Sequence, residues 1–469
     1  MADIIVIGAG LGGLGTGLLL ARDGHRVRVL ERDAEAPPDC PDDLWTAWER
    51  RGVNQFRMLH SFLARWRQTV DAELPEVAAE LVLAGGLRTN PVAAAPAAFS
   101  GGPRPGDERF DVVTGRRPVV EAAMARVAAR TPGLRVERGV AVRGLTAADR
   151  PPRPGTPHVT GVVTGDGRQF TADLVVDTTG RRSPLPGWLA ALGAAAPVEE
   201  RDDAGFLYYG RHFRSTDGSL PAAFGPPLQP YDSLSLLLLA ADNGTWGIGI
   251  ITSAADSVLR AARHEDVWTR VVKNYPLAAH WLEGEPSSDV DVMAKLEDRH
   301  RRYWRDGAPV ATGVAAVADA WACTNPSVGR GATLAVLHAV CLRDALREVP
   351  VADDPVGFAR RFDDATLATV EPLYRETVAF DRHRLAEIDA QIAGRPYETD
   401  DPGWQQEEAL RATAPADPEL FRTYVAVRSV LERREEAWAR PGVAERVAAA
   451  TPAPPLPGPS RADLVAIVG

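Results

Sequence analysis

Residues 2–14 read Ala-Asp-Ile-Ile-Val-Ile-Gly-Ala-Gly-Leu-Gly-Gly-Leu, and this stretch decides the fold. Ile4 to Ile7 form an unbroken apolar run, which predicts a central parallel strand that is covered on both faces. Gly8, Gly10 and Gly13 follow in G-x-G-x-x-G order and open a helix of small residues. Glycine at these positions allows a tight turn, a close approach of the backbone to a diphosphate, and close packing of the helix on the sheet.

A second strand, Arg26 to Leu30, ends in Glu31, which lies 18 residues beyond Gly13. A carboxylate at this place accepts hydrogen bonds from both hydroxyls of an adenosine ribose and disfavours a ribose phosphate. Because the glycine turn follows a strand, opens a helix and is completed by this acid, the sequence predicts a dinucleotide-binding site. The amino end of the helix would face the phosphates. The pattern leaves open which dinucleotide binds.

The composition is typical of a globular protein, with 45% hydrophobic and 25% charged residues in a chain of 469, and this length predicts two or three packed units. The net charge of -10 and the lack of a basic tract argue against a nucleic-acid partner. Cys40, Cys323 and Cys341 are far apart, so we expect neither a disulfide framework nor a metal site. We also expect no leader and no transmembrane segment, and therefore a cytoplasmic protein.

Two later segments repeat the pattern of a buried strand followed by an acid and a glycine. Leu174 to Val176 leads into Asp177-Thr-Thr-Gly-Arg-Arg-Ser, and Val310 to Val317 leads into Ala318-Asp319 and then Asn325-Pro-Ser-Val-Gly-Arg-Gly. Together with the opening turn, they resemble the three flavin fingerprints of the para-hydroxybenzoate-hydroxylase-like superfamily, over about residues 1–346 and in the same order. Gly52-Val-Asn-Gln-Phe-Arg-Met-Leu-His60 resembles a segment of the FAD-dependent monooxygenases and epoxidases of secondary metabolism.

The resemblance implies FAD, with Glu31 on the adenosine ribose, Arg117 near the pyrophosphate and Asp319 on the ribityl chain. It also implies that the helix beginning within Asn325 to Gly331 points its positive end at the flavin pyrimidine edge, where it stabilises a reduced ring. The cofactor-binding residues expected on this basis are Gly8, Gly10, Leu11, Gly12, Gly13, Glu31, Arg32, Arg57, Arg117, Val140, Thr179, Gly180, Asp319, Pro326, Gly329, Gly331 and Ala332.

The chain departs from the superfamily pattern at three positions. Ala318 stands where the usual motif has glycine, and Asn54 and Met58 replace a proline and a histidine of the Gly52 to His60 segment. From that segment we therefore carry over Gln55, Arg57 and His60 alone.

The expected fold is α/β, with a Rossmann-like FAD-binding domain, an inserted antiparallel β-sheet substrate domain and a C-terminal helical region. We assign residues 1–75, 108–185 and 308–350 to the FAD-binding domain, 76–107 and 186–307 to the substrate domain, and 351–469 to the helical region. Ser288 to Tyr303 reads as a strand pair, and Thr451 to Pro459 as a proline-rich tail.

The function implied by the resemblance is an FAD-dependent monooxygenase. A flavin hydroperoxide would pass one oxygen atom from O2 to a small organic substrate, by aromatic hydroxylation or alkene epoxidation. NADH or NADPH would reduce the flavin, directly or through a partner flavin reductase. No catalytic side chain is identified, because the cofactor supplies the chemistry. Tyr208, Tyr209, Trp246, Trp281 and Trp304 are candidate residues for lining the substrate pocket.

Three alternatives remain open. A flavin-dependent halogenase needs a lysine between flavin and substrate and a Trp-x-Trp-x-Ile-Pro string, whereas the two lysines here are Lys273 and Lys295 and the nearest match, Trp246-Gly-Ile-Gly-Ile, fails. A prenyl-chain reductase would consume no oxygen. A non-catalytic flavoprotein would bind FAD without being reduced by any nicotinamide or reductase.

Overall fold

The first strand and helix form where the apolar run and the glycine turn place them. A computed structural model describes residues 1–53, 55–203 and 205–469, so Asn54 lies outside the described residues. The strand Asp3–Ile7 is buried along four of its five residues, and the helix Leu11–Arg22 follows it after the turn. The continuous apolar run thus forms a central strand, as the sequence predicts.

A five-stranded sheet surrounds this strand, and every pairing in it is parallel. Its order is Val314–Ala316, Leu174–Asp177, Asp3–Ile7, Arg26–Glu31 and Leu134–Arg138. The helices Leu11–Arg22, Arg117–Arg130 and Gly331–Glu348 pack together on it. The carboxyl ends of three strands, which lead to Gly8, Thr178 and Asp319, therefore meet at one edge of the sheet.

The strand predicted from Val310 to Val317 is shorter than expected, because its parallel pairing is confined to Val314–Ala316. Gly313, just before it, has φ +70, and extended strand geometry cannot be continued through that conformation. Ala308–Pro309 instead forms a two-stranded ribbon with Trp304–Arg305.

A six-stranded antiparallel sheet forms the second unit. The strands Leu228–Tyr231, Leu234–Ala240, Thr245–Ser253, Phe206–Arg214 and Glu285–Pro286 follow one another in space, and Asp291–Met293 also pairs with Phe206–Arg214. The strand pair predicted in Ser288 to Tyr303 is wrong, because its two strands pair with other strands and not with each other. Glu297–Arg302 pairs instead with Val198–Asp203 and Ala322–Cys323 in a separate three-stranded sheet, because pairing partners distant in sequence outcompete the local hairpin.

Seven helices lie in the region that follows residue 351. They are Pro355–Thr369, Glu371–Ile392, Pro402–Thr413, Pro418–Arg428, Arg434–Ala439, Val443–Ala449 and Arg461–Val468. The last one was not predicted. It begins with a capping box between Ser460 and Asp463 and packs on the six-stranded sheet's helix Glu265–Lys273, so the proline-rich tail is followed by an ordered helix.

The remaining elements connect these units. Helices span Pro41–Thr46, Ala64–Glu73, Pro75–Leu83, Ala97–Ser100 and Leu185–Ala191, with short 3-10 helices at Asp107–Phe110, Leu259–Arg263, Ala279–Glu283, Ala318–Ala320, Pro326–Val328 and Ala414–Ala416. The strands Val142–Ala147, Val159–Thr164 and Gln169–Thr171 form one antiparallel sheet, and Leu87–Thr89 pairs with Val112–Thr114.

The observed architecture confirms the predicted fold class of a Rossmann-like unit, antiparallel sheets and C-terminal helices. The domain limits stay a prediction, although Pro75–Leu83, at the start of the assigned substrate domain, packs against Arg117–Arg130. Over the part of the chain that the structure describes, no helix combines the length and the apolar character needed to cross a membrane.

Candidate functional site: a cofactor cradle

The glycine turn has the geometry of a phosphate cradle. Gly8 adopts φ +103, and Gly10 precedes the helix Leu11–Arg22 without a side chain that caps it. A Cβ at Gly13 would lie 1.9 Å from the carbonyl oxygen of Gly8, so the helix approaches the turn as closely as glycine permits. The N–H groups of the first helical turn lack intrahelical partners, and they carry the positive end of the helix dipole.

Arg117 adds a positive charge to this helix end. A Cβ at Gly10 would lie 4.0 Å from its Nη2 atom, which leaves Gly10 open toward the guanidinium. Its Nε donates to Glu121 at 2.7 Å, and its Nη1 lies 3.5 Å from Nε2 of His60. A guanidinium and a helix amino end at one point form a site for an anion such as a diphosphate.

His60 acts here as a neutral acceptor. Its Nδ1 lies 2.8 Å from the carbonyl oxygen of Met58, so Nδ1 carries the proton and Nε2 faces Arg117. Burial and the nearby Arg117 charge lower the pKa of His60 from 6.5 to about 3. The structure thus brings His60 and Arg117 together, which the sequence analysis did not predict. By contrast, Arg57 donates to the Trp48 carbonyl at 3.3 Å.

Glu31 ends its strand beside the turn and is almost fully buried. It accepts from Ala9 N at 2.7 Å, from Asp33 N at 3.0 Å and from Arg50 Nη2 at 2.7 Å. A carboxylate offers about four acceptor positions, so these three donors leave one for a ribose hydroxyl. Two other predicted residues flank it: Val140 N donates to the Glu31 carbonyl at 2.9 Å, while the exposed Arg32 donates to the Arg51 carbonyl.

Arg50 is a functional candidate that the sequence did not reveal. Its guanidinium lies among three carboxylates, at 2.7 Å from Glu31, 3.0 Å from Asp33 and 2.6 Å from Glu121, and it also donates to Ala9 O at 3.1 Å. It therefore holds Glu31 and the Arg117 partner Glu121 in fixed positions. Its place before the Gly52 to His60 segment was visible, but its partners lie far away in sequence.

The segment after Asp177 fixes the turn from the neighbouring strand. Thr178 donates through Oγ1 to the carbonyl oxygens of Ile7 at 2.8 Å and Gly8 at 3.2 Å. Thr179, a predicted cofactor residue, instead donates to Asp177 from its backbone and its hydroxyl, at 2.9 and 2.6 Å. Gly180 has φ +80. The threonine that touches the glycine turn is thus Thr178, one position before the predicted residue.

Asp319 presents a half-buried carboxylate that makes no hydrogen bond to the described residues. Burial raises its pKa, and the charges of Arg117 and Arg181 partly oppose that shift. The carboxylate therefore has free acceptor positions close to the positive groups of the cradle. The helix amino end and Arg117 together with the free carboxylate oxygens fit a diphosphate flanked by hydroxyl groups. This is the chemistry of the dinucleotide that the sequence predicts.

The backbone turn before Asp319 is strained, and a hydrogen bond to a buried histidine supports it. Ala318 adopts φ +58, a left-handed conformation that usually favours glycine, and its N–H donates to Nδ1 of His338 at 3.1 Å. His338 is buried, and desolvation lowers its pKa from 6.5 to about 3, so it is a neutral acceptor. Its Nε2 lies 3.2 Å from Thr366 Oγ1, whose own proton goes to the Phe362 carbonyl at 2.7 Å.

The predicted segment Asn325 to Gly331 also has the expected shape. A 3-10 turn at Pro326–Val328 leads to Gly329, with φ +68, and the helix Gly331–Glu348 begins two residues later, with Ala332 in its first turn. A Cβ at Gly329 would lie 2.8 Å from Cβ of Ser61, the residue after His60. The segment therefore packs directly on the loop that holds His60.

Comparisons with known proteins agree with this geometry. Residues 6–40 match the NAD(P)-binding Rossmann-like domain family. Protein Rv3254 of Mycobacterium tuberculosis is 29% identical over 362 residues, which are 73% of this chain and 72% of that protein. PqsL of Pseudomonas aeruginosa, a probable FAD-dependent monooxygenase, superposes with a TM-score of 0.59 at 16% identity, over 83% of this chain and 97% of PqsL.

A flavin-dependent halogenase, CmlS, superposes with a TM-score of 0.58 at 17% identity, over 92% of this chain and 77% of CmlS. The chain therefore shares its fold with PqsL and CmlS. The resemblance read from the three fingerprints is therefore confirmed as a fold, and the same fold serves both monooxygenases and halogenases.

Within this fold, the six-stranded sheet turns one face toward the cradle. Met58 packs on that face with Phe206, Tyr208, Ile251 and Met293. Tyr208 donates to Oδ1 of Asn325 at 2.8 Å, at the start of the segment that packs on Ser61. The face is apolar and in contact with the loops of the cofactor cradle, which is the place expected for a substrate.

The structure corrects the proposed aromatic lining. Tyr209, Trp246 and Trp281 belong to the opposite face, in the cluster covered by the helix Glu265–Lys273. Trp304 lies on a two-stranded ribbon outside the six-stranded sheet. Neighbouring strand residues point to opposite faces, so Tyr208 and Tyr209 cannot both line one pocket.

Proposed function

We propose that this protein is an FAD-dependent monooxygenase that transfers one oxygen atom from O2 to an aromatic ring or an alkene of a small organic substrate. The observation that carries the proposal is the convergence of the Leu11–Arg22 helix end, Arg117, Glu31 and Asp319 at one sheet edge. The superfamily fold supports it. Reduced FAD, when bound, would supply the chemistry of the reaction, because it would react with O2.

Each group of the cradle has a role in holding the cofactor. The helix end and Arg117 would bind the diphosphate, Glu31 a ribose hydroxyl, and Asp319 the hydroxyls of the ribityl chain. The amino end of the helix Gly331–Glu348 would stabilise negative charge on a reduced ring by its dipole. The side chains of this chain thus bind and orient, and no acid or base is assigned.

The apolar sheet face with Met58, Phe206 and Ile251 would exclude water from the reacting atoms. A dry pocket strengthens electrostatic interactions and limits unproductive reaction with solvent. NADH or NADPH, acting directly or through a partner reductase, is part of the proposal as the reductant.

Flavin-dependent halogenation is the nearest alternative, because CmlS shares the fold. Both lysines of the chain, Lys273 and Lys295, are exposed to solvent. A lysine that relays a halogenating agent must instead stand in the enclosed space between flavin and substrate, so oxygen transfer is the better supported reaction.

Asp319→Ala tests the cradle. We expect the folded variant to bind FAD about 10- to 100-fold more weakly, because hydrogen bonds to a charged acceptor contribute about 1.5–3 kcal/mol. Asp364→Ala, which removes an exposed helix carboxylate in a long ion pair of 3.9 Å, is the matched control and should bind FAD as the wild type does. Undiminished FAD affinity in Asp319→Ala would remove this residue from the site.

The reaction itself is tested by reducing the FAD-loaded protein without oxygen and then adding isotopically labelled O2 with aromatic or alkene candidates. Label in an organic product supports monooxygenation. Oxygen-independent reduction of an alkene by the same protein would refute it in favour of a prenyl-chain reductase, and a halide-dependent product would favour a halogenase.

A further inference from the structure

Two buried carboxylates, Asp298 and Asp381, reach the segment Asn325 to Gly331. Asp298 lies on the strand Glu297–Arg302, and Asp381 lies on the helix Glu371–Ile392 of the C-terminal region. Each of the two residues is 2% exposed. Two different units of the fold thus place an acid against the same short segment, and the proposed function gives neither acid a role.

Hydrogen bonds join both acids to neighbouring residues of this segment. Asp298 Oδ1 accepts from the backbone N–H of Asn325 at 2.7 Å, and Asp381 Oδ1 accepts from the hydroxyl of Ser327. Asn325 also accepts, through Oδ1, from the hydroxyl of Tyr208 at 2.8 Å. Because Tyr208 lies on the apolar sheet face proposed for the substrate, that sheet and the C-terminal helix hold the segment together.

The environment of Asp381 favours a neutral carboxyl. Its Oδ2 atom is buried and has no hydrogen-bond partner among the described residues, and a buried unpaired charge is far costlier than an unpaired hydroxyl. The charges that act on it are those of Asp298 and of Arg330, which is already paired with Glu376 at 3.3 Å. Burial, reinforced by Asp298, raises the pKa of Asp381 well above its ordinary value of 3.8. The nearby Tyr208 phenol is neutral too, since burial raises its pKa well above 10.

Asp298 is the acid that carries the negative charge at neutral pH. Burial raises its pKa to about 6, and the arginine that acts on it, Arg382, is paired with Asp202 at 2.5 Å. Its two other titratable neighbours stay neutral, because burial raises their pKa values: Cys323 and Tyr374. Two buried acids at one segment do not both ionise readily, since like charges repel. At pH 7 the two acids together therefore hold one proton, on Asp381.

The charge of Asp381 bears on the helix Gly331–Glu348, which begins four residues after Ser327. The amino end of this helix is the group that would stabilise negative charge on a reduced flavin ring. A further carboxylate beside it would oppose that stabilisation, whereas a neutral carboxyl ties down the segment without adding charge.

We propose that Asp381 is a positioning residue, whose neutral carboxyl holds Ser327 and thereby fixes the segment Asn325 to Gly331 beside the flavin. The positioning role rests on the proposed binding of FAD, whereas the neutral state of the carboxyl does not. The acid acts through Ser327 and the helix that follows, and it does not touch the reacting atoms.

The dependence of unfolding on pH tests the neutral carboxyl in the full chain. The unfolded chain releases the proton of Asp381 above about pH 3.8, whereas the folded chain keeps it, so wild-type stability falls as the pH rises toward the folded pKa. Asp381→Asn offers one acceptor and one donor, as the protonated acid does, but has no proton to release. We expect the ratio of the unfolding equilibrium constants, wild type over Asp381→Asn, to rise about tenfold per pH unit between about pH 5 and pH 7.

Asp389→Asn, at a half-exposed position of the same helix, is the matched control. The ratio of wild type to this variant should stay within about twofold over the same range of pH. A ratio for Asp381→Asn that does not change with pH would show that Asp381 is ionised in the folded chain, and it would overturn the inference.

The bound flavin tests the positioning role. Asp381→Asn should keep the FAD affinity and the midpoint potential of the wild type at pH 7, and a higher potential would reveal a negative charge on wild-type Asp381 and refute its neutral state. Asp381→Ala should bind FAD at least about tenfold more weakly, because Ser327 loses its acceptor. Ser327→Ala removes the same hydrogen bond with a smaller loss of volume and should weaken FAD binding several-fold.

Wild-type FAD affinity and potential in both alanine variants would overturn the positioning role. A wild-type protein that does not bind FAD would instead refute the proposed function and the positioning role with it, while the pH-dependent ratio of the unfolding constants would still be observed. The two failures are therefore distinguishable.

Discussion

Replacing Gly13 with alanine should separate the Leu11–Arg22 helix from the turn that begins it. The new Cβ would lie 1.9 Å from the Gly8 carbonyl oxygen and 2.6 Å from Thr178 Oγ1. Neither obstacle is the free end of a flexible side chain, because Gly8 O is backbone and the Thr178 hydroxyl donates to Ile7 and Gly8. The helix must therefore move by more than an ångström.

The expected cost combines two effects. Overpacking in a close-packed region costs about 1–3 kcal/mol. Loss of the hydrogen bonds of Thr178 to the turn adds about 1 kcal/mol. We expect Gly13→Ala to lower the free energy of unfolding by about 2–4 kcal/mol, and to lose FAD because the displaced helix end no longer faces the diphosphate.

Gly15→Ala is the matched control in the same helix. A Cβ at Gly15 would meet one atom, Cε of Met124, at 3.4 Å, which is an ordinary contact with a flexible side chain. Alanine is favoured over glycine inside a helix by about 0.8–1.0 kcal/mol, so this variant should be more stable than the wild type by about 0.5–1 kcal/mol.

Urea unfolding of the three proteins, followed by far-UV circular dichroism, gives the order of stability, and FAD retained after gel filtration gives the order of binding. The reasoning is refuted if Gly13→Ala unfolds at the same urea concentration as Gly15→Ala, or if it keeps FAD with wild-type affinity.

Three further variants probe the support of the fold. Burial lowers the pKa of His338 in the folded chain from 6.5 to about 3, so protonation favours the unfolded chain. The stabilisation by the neutral imidazole is therefore complete above pH 6.5 and is lost as the pH falls. His338→Gln should therefore flatten the dependence of unfolding free energy on pH by about 1.4 kcal/mol per pH unit between about pH 5.5 and pH 4, and an unchanged slope in urea titrations would contradict a buried neutral imidazole. Leu464→Ala, which truncates a buried side chain of the last helix, should cost about 2–5 kcal/mol. The control Val465→Ala, at an exposed position, should change stability by less than about 0.5 kcal/mol. Equal melting temperatures of the two variants would show that this helix does not hold the sheet. Arg461→Gln leaves buried Asp256 without its ion-pair partner at 2.6 Å and should cost about 3–5 kcal/mol. A melting temperature in calorimetry equal to that of the wild type would contradict this expectation.

The cradle could be predicted because its parts are local in sequence. The glycine turn, the acid at the end of the second strand and the Ala318-Asp319 turn each follow directly from a buried strand, and parallel strands bring their carboxyl ends to one edge. The residue type expected at each of these positions therefore follows from the sequence alone. Gly8, Gly13 and Asp319 accordingly occupy the predicted places.

What the sequence did not reveal depends on contacts between distant segments. Arg50 belongs to the site because Glu31, Asp33 and Glu121 converge on it from two other elements. Tyr208 and Tyr209 are equivalent in composition, and alternation assigns them to opposite faces without saying which face meets the cradle. The pairing of Glu297–Arg302 with Val198–Asp203 likewise cannot be predicted from a local pattern, because the two strands lie far apart in sequence.

Ala318 shows how a departure from the superfamily motif is accommodated. Its left-handed backbone costs about 1–2 kcal/mol relative to glycine, and its Cβ lies 3.0 Å from where a Cβ of Gly12 would be. The methyl group therefore occupies space that is free because residue 12 has no side chain. Since an alanine at residue 12 would meet that methyl group, the two positions constrain each other.

The hydrogen bond from Ala318 N to His338 holds the strained turn, and Thr366 in the helix Pro355–Thr369 orients the imidazole. The conformation of Asp319 thus depends on a residue of the C-terminal helical region, which lies outside the three fingerprints. A helix that the motif analysis leaves without a role thereby becomes part of what positions the carboxylate expected on the ribityl chain.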